Sequence, residues 1–204
     1  LGNQEIGIRF QNVSIPAGAI VESAFIQFVA VDVNSNSTNF TIKIQDDVNP
    51  PAFQDLSLND ISNRPTMATT VNWSPAGWNL VGESDLKQRT SNLAGLLQAM
   101  VNKAGWESGN AMAFIITGTG ERDASSYDGD PNKAPVLVVN YRLNIPPIVG
   151  TNLPDLLMCG TAPITVNAGA GYSAYYWNND ITMGQAASFS VTSGGTHILR
   201  VMDA

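Results

Sequence analysis

Between Ile20 and Val33 the chain reads IVESAFIQFVAVDV, with β-branched or aromatic residues at nearly every second position. A period of two puts alternate side chains on opposite faces of an extended strand, whereas a helix needs its apolar residues three and four apart. The same texture returns at Glu5 to Phe10, Phe40 to Ile44 and Val71 to Trp73, and again, more apolar, at Ala111 to Thr117 and Ala134 to Leu143. The chain is therefore built mainly from strands. Adjacent Phe28 and Val29 break the alternation, as in a strand with one bulge or with burial on both faces. The two most apolar runs, AMAFIIT and APVLVVNYRL, are expected at central positions of a sheet.

One segment has the other period. In SNLAGLLQAMVNKAGW, Ser91 to Trp106, the residues Leu93, Leu96, Leu97, Met100 and Val101 fall at helical spacing. Ser91 is placed to cap the start and Gly105 to end it, which predicts an amphipathic helix lying on the sheets. Asn59 to Thr70 shows neither period and contains Pro65, so it is read as a loop with one helical turn.

At Asn144 to Gly150, NIPPIVG, two prolines exclude a helix and favour a stiff extended spacer. Beyond it, Gly-rich turns separate short strands. The expected division is 1–145 and 146–204. The expected fold is mainly β, a jelly-roll-like β-sandwich with one amphipathic helix followed by a small Ig-like β-sandwich.

Charged residues make up 13% of the 204, about half the usual share of roughly 25%. Asn, Ser, Thr and Gly fill the gap, a composition suited to an extracellular β protein. The net charge is -7 and the ten Lys and Arg are scattered, so the clustered cations that a nucleic acid requires are missing. No apolar run reaches the ~18 residues of a membrane span, so no membrane insertion is expected. The chain opens on Leu1 without Met and reads as a mature or trimmed fragment. Asn12, Asn36, Asn39 and Asn72 each open an Asn-x-Ser/Thr triplet, an acceptor for glycosylation in a suitable host.

Four acidic residues stand in ERDASSYDGDPNKAP, Glu121 to Pro135, between the two most apolar strands. Asp128, Asp130 and Asn132 occupy alternate positions, from which three oxygens can converge on calcium, with Asp123 and Glu121 as further ligands. Two other readings stay open: a plain polar loop, and a carboxyl pair for glycoside hydrolysis, which needs its members about 5–10 Å apart. Asp46 and Asp47, before Pro50 and Pro51, are read as turn formers or as added calcium ligands. The sole histidine, His197, and the sole cysteine, Cys159, cannot furnish a typical zinc site. His197 lies in HILRV, far in sequence from every acidic cluster, and reads as an exposed or core-edge strand residue rather than a catalytic base. No catalytic residue is assigned.

Sugar-binding sandwiches stack rings on exposed aromatic faces and surround them with hydrogen-bonding side chains. Trp78, between Gly77 and Asn79, is the leading platform, with Trp73 and Arg64 completing the candidate glycan set. Core packing is the competing reading for Trp73 and Trp106. Trp177, in YYW, is expected inside the second domain.

The ordered motifs IGIRFQNVSIPAGAIVESAFIQF, ISNRP, VNWSPAGW, VNKAGWESGNAMAFIITGTG and SYDGDPNKAPVLVVNYR, over residues 5–142, resemble the DNRLRE-type, carbohydrate-binding-module-like β-sandwiches of secreted bacterial proteins. LPDLLMCGTAPITVNAGAGYSAYYWNND and GGTHILRVMDA resemble the Ig-like or PKD-like repeats of Bacteroidetes surface adhesins. The resemblance implies a non-catalytic structural or adhesive module of a large secreted or cell-surface protein. It also implies truncation after Ala204, with a partner for Cys159 beyond it. The alternatives are a polysaccharide-binding module of an extracellular carbohydrate-active enzyme and a subunit of an extracellular filament. Expected partners are polysaccharide or neighbouring surface-protein modules.

Overall fold

A computed structural model describes residues 5–54, 57–144, 162–169, 171–172, 174–178 and 186–202; Cys159 and the prolines of the spacer lie outside them. The chain divides into two compact units, Leu1–Leu143 and Asn144–Ala204.

In the first unit the alternating segments become β1 (Ile6–Phe10), β2 (Ile20–Gln27), β3 (Asn39–Ile44), β4 (Val71–Trp73), β5 (Met112–Thr119) and β6 (Val136–Arg142). Four of them form an antiparallel sheet in the order β1-β5-β3-β4. β5 is central, as its apolar run predicts, with Phe114 opposite Ile8 on one side and Ile116 opposite Ile42 on the other. Gly118, at φ 143°, lets the backbone of Asn39 and Phe40 approach where any Cβ would collide, so only glycine fits.

β2 and β6 form a separate antiparallel pair, Phe25 opposite Val138, with one irregularity between Val21 and Ser23. This corrects two expectations. β6 is an edge strand, because β2 is its only strand partner among the described residues, and Val136 and Val138 stay 56% and 44% exposed. β2 stops at Gln27, and residues 28–34 continue as an irregular ladder in which Ala30 bridges Ala124 and Asn34 bridges Trp78.

Among the described residues the other edge of β2 carries no strand. Side chains replace one: Val21 N–H donates to Gln98 Oε1 at 2.9 Å, Ala24 N–H to Asn92 Oδ1 at 3.0 Å and Ile26 N–H to Thr90 Oγ1 at 3.0 Å. In return, Leu93 N–H donates to the Ala24 carbonyl and Thr90 N–H to that of Ile26. The edge is thus closed against further pairing.

This arrangement also fixes the helix, α1 (Ala94–Val101), which is shorter than the periodic run. Ser91 is not its cap. Asn92 Oδ1 accepts the Ala94 N–H at 3.0 Å while holding Ala24, so one carboxamide starts the helix and ties it to β2. Leu96, Leu97, Met100 and Val101 are buried against Val21, Ala24 and Ile26 of β2, Ile42 and Ile44 of β3, and Met112, Phe114 and Ile116 of β5. Both sheets and the helix share this core, where each fully buried large side chain contributes about 1.5–3 kcal/mol. Among the described residues the protein is mainly strand, in antiparallel sheets, with one α-helix.

The second unit holds β7 (Ile164–Asn167) paired with β9 (Ser188–Val191), and β8 (Ala174–Trp177) paired with β10 (Leu199–Met202), both antiparallel. Trp177 is 3% exposed, as expected, and stacks on Phe189 with ring centroids 5.3 Å apart.

Candidate functional site

The acidic loop carries the chain from the four-stranded sheet to the edge of the other. Its first part is held by backbone pairing: Val31 N–H donates to the Asp123 carbonyl and Ser125 N–H to that of Val29. Arg122 then fastens three loops together. Its guanidinium donates to the carbonyls of Asn36 at 2.8 Å, Pro75 at 3.2 Å, Ala76 at 3.3 Å and its neighbour Glu121 at 2.6 Å. Burial pulls Arg122 below the usual arginine range.

Asp130 is engaged in its own turn. Oδ1 accepts the Asn132 N–H at 3.1 Å, capping the 3₁₀ turn Pro131–Lys133, and Oδ2 lies 3.2 Å from Lys133 Nζ. The Asn132 N–H, then Lys133, hold the Asp130 carboxyl below its usual range. Asp128, Glu121 and Asn132 are exposed and Asp123 is half-buried. Among the described residues no three His, Cys, Asp or Glu side chains are grouped as a metal site. Asp130 is thus engaged in a cap and an ion pair, and Arg122 clamps the backbone of the loop.

The glycan set is corrected by burial. Trp78 is 1% exposed, its Nε1 donating to the Lys87 carbonyl at 3.0 Å, and Trp73 is 6% exposed and stacked on Phe28. Neither ring offers a face to a sugar. Backbone pairing of Trp78 with Asn34 draws it inward, a long-range contact that its Gly and Asn neighbours do not reveal. Trp106 is core as well, its Nε1 on the Ile15 carbonyl.

Arg64, third of the set, is a clamp. Nη1 donates to Gln45 Oε1 at 3.0 Å and the Pro51 carbonyl at 2.8 Å, and Nη2 to the Ala52 carbonyl and Asp60 Oδ2, both at 2.9 Å. The guanidinium also lies 4.2 Å from the centre of the Phe53 ring. Together these bonds pin the segment after β3 to the expected helical turn, whose closing bond is Asn63 N–H to the Asn59 carbonyl. Asp47 takes the turn role, Oδ1 accepting the Asn49 N–H, while Asp46 pairs with Lys103. An open cleft of about 340 Å³ lies between these elements, lined by Gln45, Asp46, Asp47, Asp60 and Arg64 among others.

In the second unit His197 Nε2 lies 3.1 Å from the Ser193 carbonyl, and the ring is 5.9 Å from that of Phe189, a core-edge position. The residues that matter most to the loops and were not singled out in the sequence are Arg122, Thr90, Asn92 and Gln98. Only Arg122 left a trace there, as one of two cations, with Lys133, inside an acidic loop. Comparison with protein-family models, well-characterised proteins and solved structures finds no match to this chain.

Proposed function

We propose that the chain is a non-catalytic, structural or adhesive module of a large secreted or cell-surface bacterial protein. One observation supports this above others: Arg64 and Arg122 hold the module's own carbonyls. Loops fastened in this way suit a module that must keep its shape outside the cell, and the low-charge, Asn- and Ser-rich composition supports the same habitat. The test is incubation of the purified chain with β-glucan, xylan and pectin. No release of reducing ends is expected. Release that disappears on Glu121→Gln or Asp128→Asn would overturn the reading.

The filament-subunit reading is favoured by the open edge of β6. Ala24 and Ile26 direct their N–H groups to Asn92 and Thr90, so Phe25 turns its backbone to Val138, and Leu137 and Val139 turn theirs outward. The strand carries no proline, and among the described residues no second strand pairs with its other edge. Light scattering decides: concentration-dependent oligomers abolished by Val138→Lys support it, and a monomer at all concentrations removes it.

A further inference from the structure

We infer that the facing loops 31–33 and 79–81 form a docking surface for another protein, one that presents an apolar cluster bordered by Lys or Arg. At one end of these loops Asn34 and Trp78 exchange two backbone bonds, of 3.0 and 2.9 Å, and at the other Ala30 bonds to Gly82 and Glu83. Residues 31–33 are thereby set opposite 79–81. Val31, Val33, Leu80 and Val81 stand 46%, 53%, 64% and 58% exposed on them. Single exposed apolar residues are ordinary on any protein, but four on two adjacent loops make a patch, and an apolar patch with a polar rim marks an interaction site. The backbone beneath is held in place: Ser84 Oγ donates to the Phe28 carbonyl at 2.9 Å, and the buried Trp78 ring anchors the second loop through the Lys87 carbonyl. A surface already held in shape loses little conformational freedom on binding.

The charges around the patch select the partner. Val31 N–H bonds to the Asp123 carbonyl, which brings the start of the acidic loop alongside. Residues 28–34, 78–88 and 121–125 together carry five carboxylates, Asp32, Glu83, Asp85, Glu121 and Asp123, against two cations. Of these, Lys87 Nζ lies 3.5 Å from Glu83, and Arg122 is engaged by four carbonyls. The rim is therefore negative. An apolar centre with a negative rim complements one with a positive rim, and such complementarity sets partner choice and encounter rate. A second copy of this chain brings the same negative rim and is repelled, as is an anionic lipid surface. The inference rests on the adhesive reading above and names the surface and the kind of protein it holds. Its failure leaves the non-catalytic part of that reading intact, because the release of reducing ends tests that part separately.

The test is titration of the ¹⁵N-labelled chain, followed by NMR, with two blocked heptapeptides that share a Leu-Val-Leu centre, one flanked by lysines and the other by glutamates. The lysine-flanked peptide is expected to shift the backbone amides of Val31, Val33, Leu80 and Val81 at millimolar concentration, less so in 0.5 M NaCl, with the glutamate-flanked peptide silent. Changing Leu80→Ser together with Val81→Ser should weaken binding about tenfold at an unchanged melting temperature, since both side chains are exposed. Leu58→Ser, at a residue 91% exposed in the 57–65 turn, should leave binding unchanged. Should the double variant melt lower, Asp32→Asn decides, because it keeps Oδ1 for the Val33 N–H and removes the charge; about threefold weaker binding is expected. No shift with the lysine-flanked peptide, equal shifts with both peptides, an equal loss in Leu58→Ser, or unchanged affinity in the deciding variant overturns the surface. So does equally tight binding to vesicles of phosphatidylcholine with phosphatidylglycerol, which would make it a membrane contact.

Discussion

Thr90 Oγ1 accepts the backbone N–H of Ile26 at 3.0 Å, and Thr90 N–H returns a bond to the Ile26 carbonyl, with both residues buried. A side chain and a backbone group from a non-strand segment thus imitate the ladder of a neighbouring strand. Thr90→Val keeps the shape and removes the acceptor, leaving a buried N–H unsatisfied at a cost of about 1–3 kcal/mol. Urea unfolding should show a lower midpoint with an unchanged slope, and Thr90→Ser should recover most of the loss.

That edge also shows what the sequence could disclose. β5 was legible because burial on both faces leaves an unbroken apolar run, and α1 because four buried residues share one helical face. The edge position of β6 was not, because Val136 and Val138 are as apolar as core residues yet face outward. The candidate site was less legible still. Trp78 lies between Gly77 and Asn79, and its backbone pairing with Asn34, 44 positions earlier, and its Nε1 bond to the Lys87 carbonyl accompany its burial in the core. Arg64 and Arg122 serve main-chain carbonyls, and such partners have no residue signature.

The loop at residues 121–135 is held by protein contacts, so Arg122 should be its weak point. Arg122→Lys keeps a charge but loses the planar fork that reaches several carbonyls at once. A loss of about 1.5–3 kcal/mol is expected, with faster proteolytic nicking between Glu121 and Pro135. Melting with EDTA should match melting with calcium. A calcium-dependent rise in melting temperature would support the cation reading of Asp128, Asp130 and Asn132.

Trp78 and Tyr127 separate burial from exposure. Trp78→Ala removes a fully buried ring and its bond to the Lys87 carbonyl and should cost about 3–5 kcal/mol. Tyr127, 69% exposed in the acidic loop, should tolerate Ala within about 0.5 kcal/mol. Chemical denaturation measures both. A small loss at Trp78 would mean that its ring is not part of the core.

Acid should loosen the protein through Asp60 and Asp130. The Gln54 N–H first and Arg64 second hold Asp60 below its usual range, as the Asn132 N–H and Lys133 hold Asp130. A carboxyl whose folded pKa lies below its unfolded one binds fewer protons when folded. Its stabilising contribution is therefore complete above the unfolded value of about 3.9 and is lost as pH falls through the folded value. For these two groups stability should be level from neutrality to about pH 5 and should decline below about pH 4. Asp60→Asn removes one titrating group, so the loss of stability between pH 5 and pH 3 should be smaller in the variant than in the parent. Urea midpoints at the two pH values measure that difference. Equal losses in both proteins would show that Asp60 does not carry the acid response.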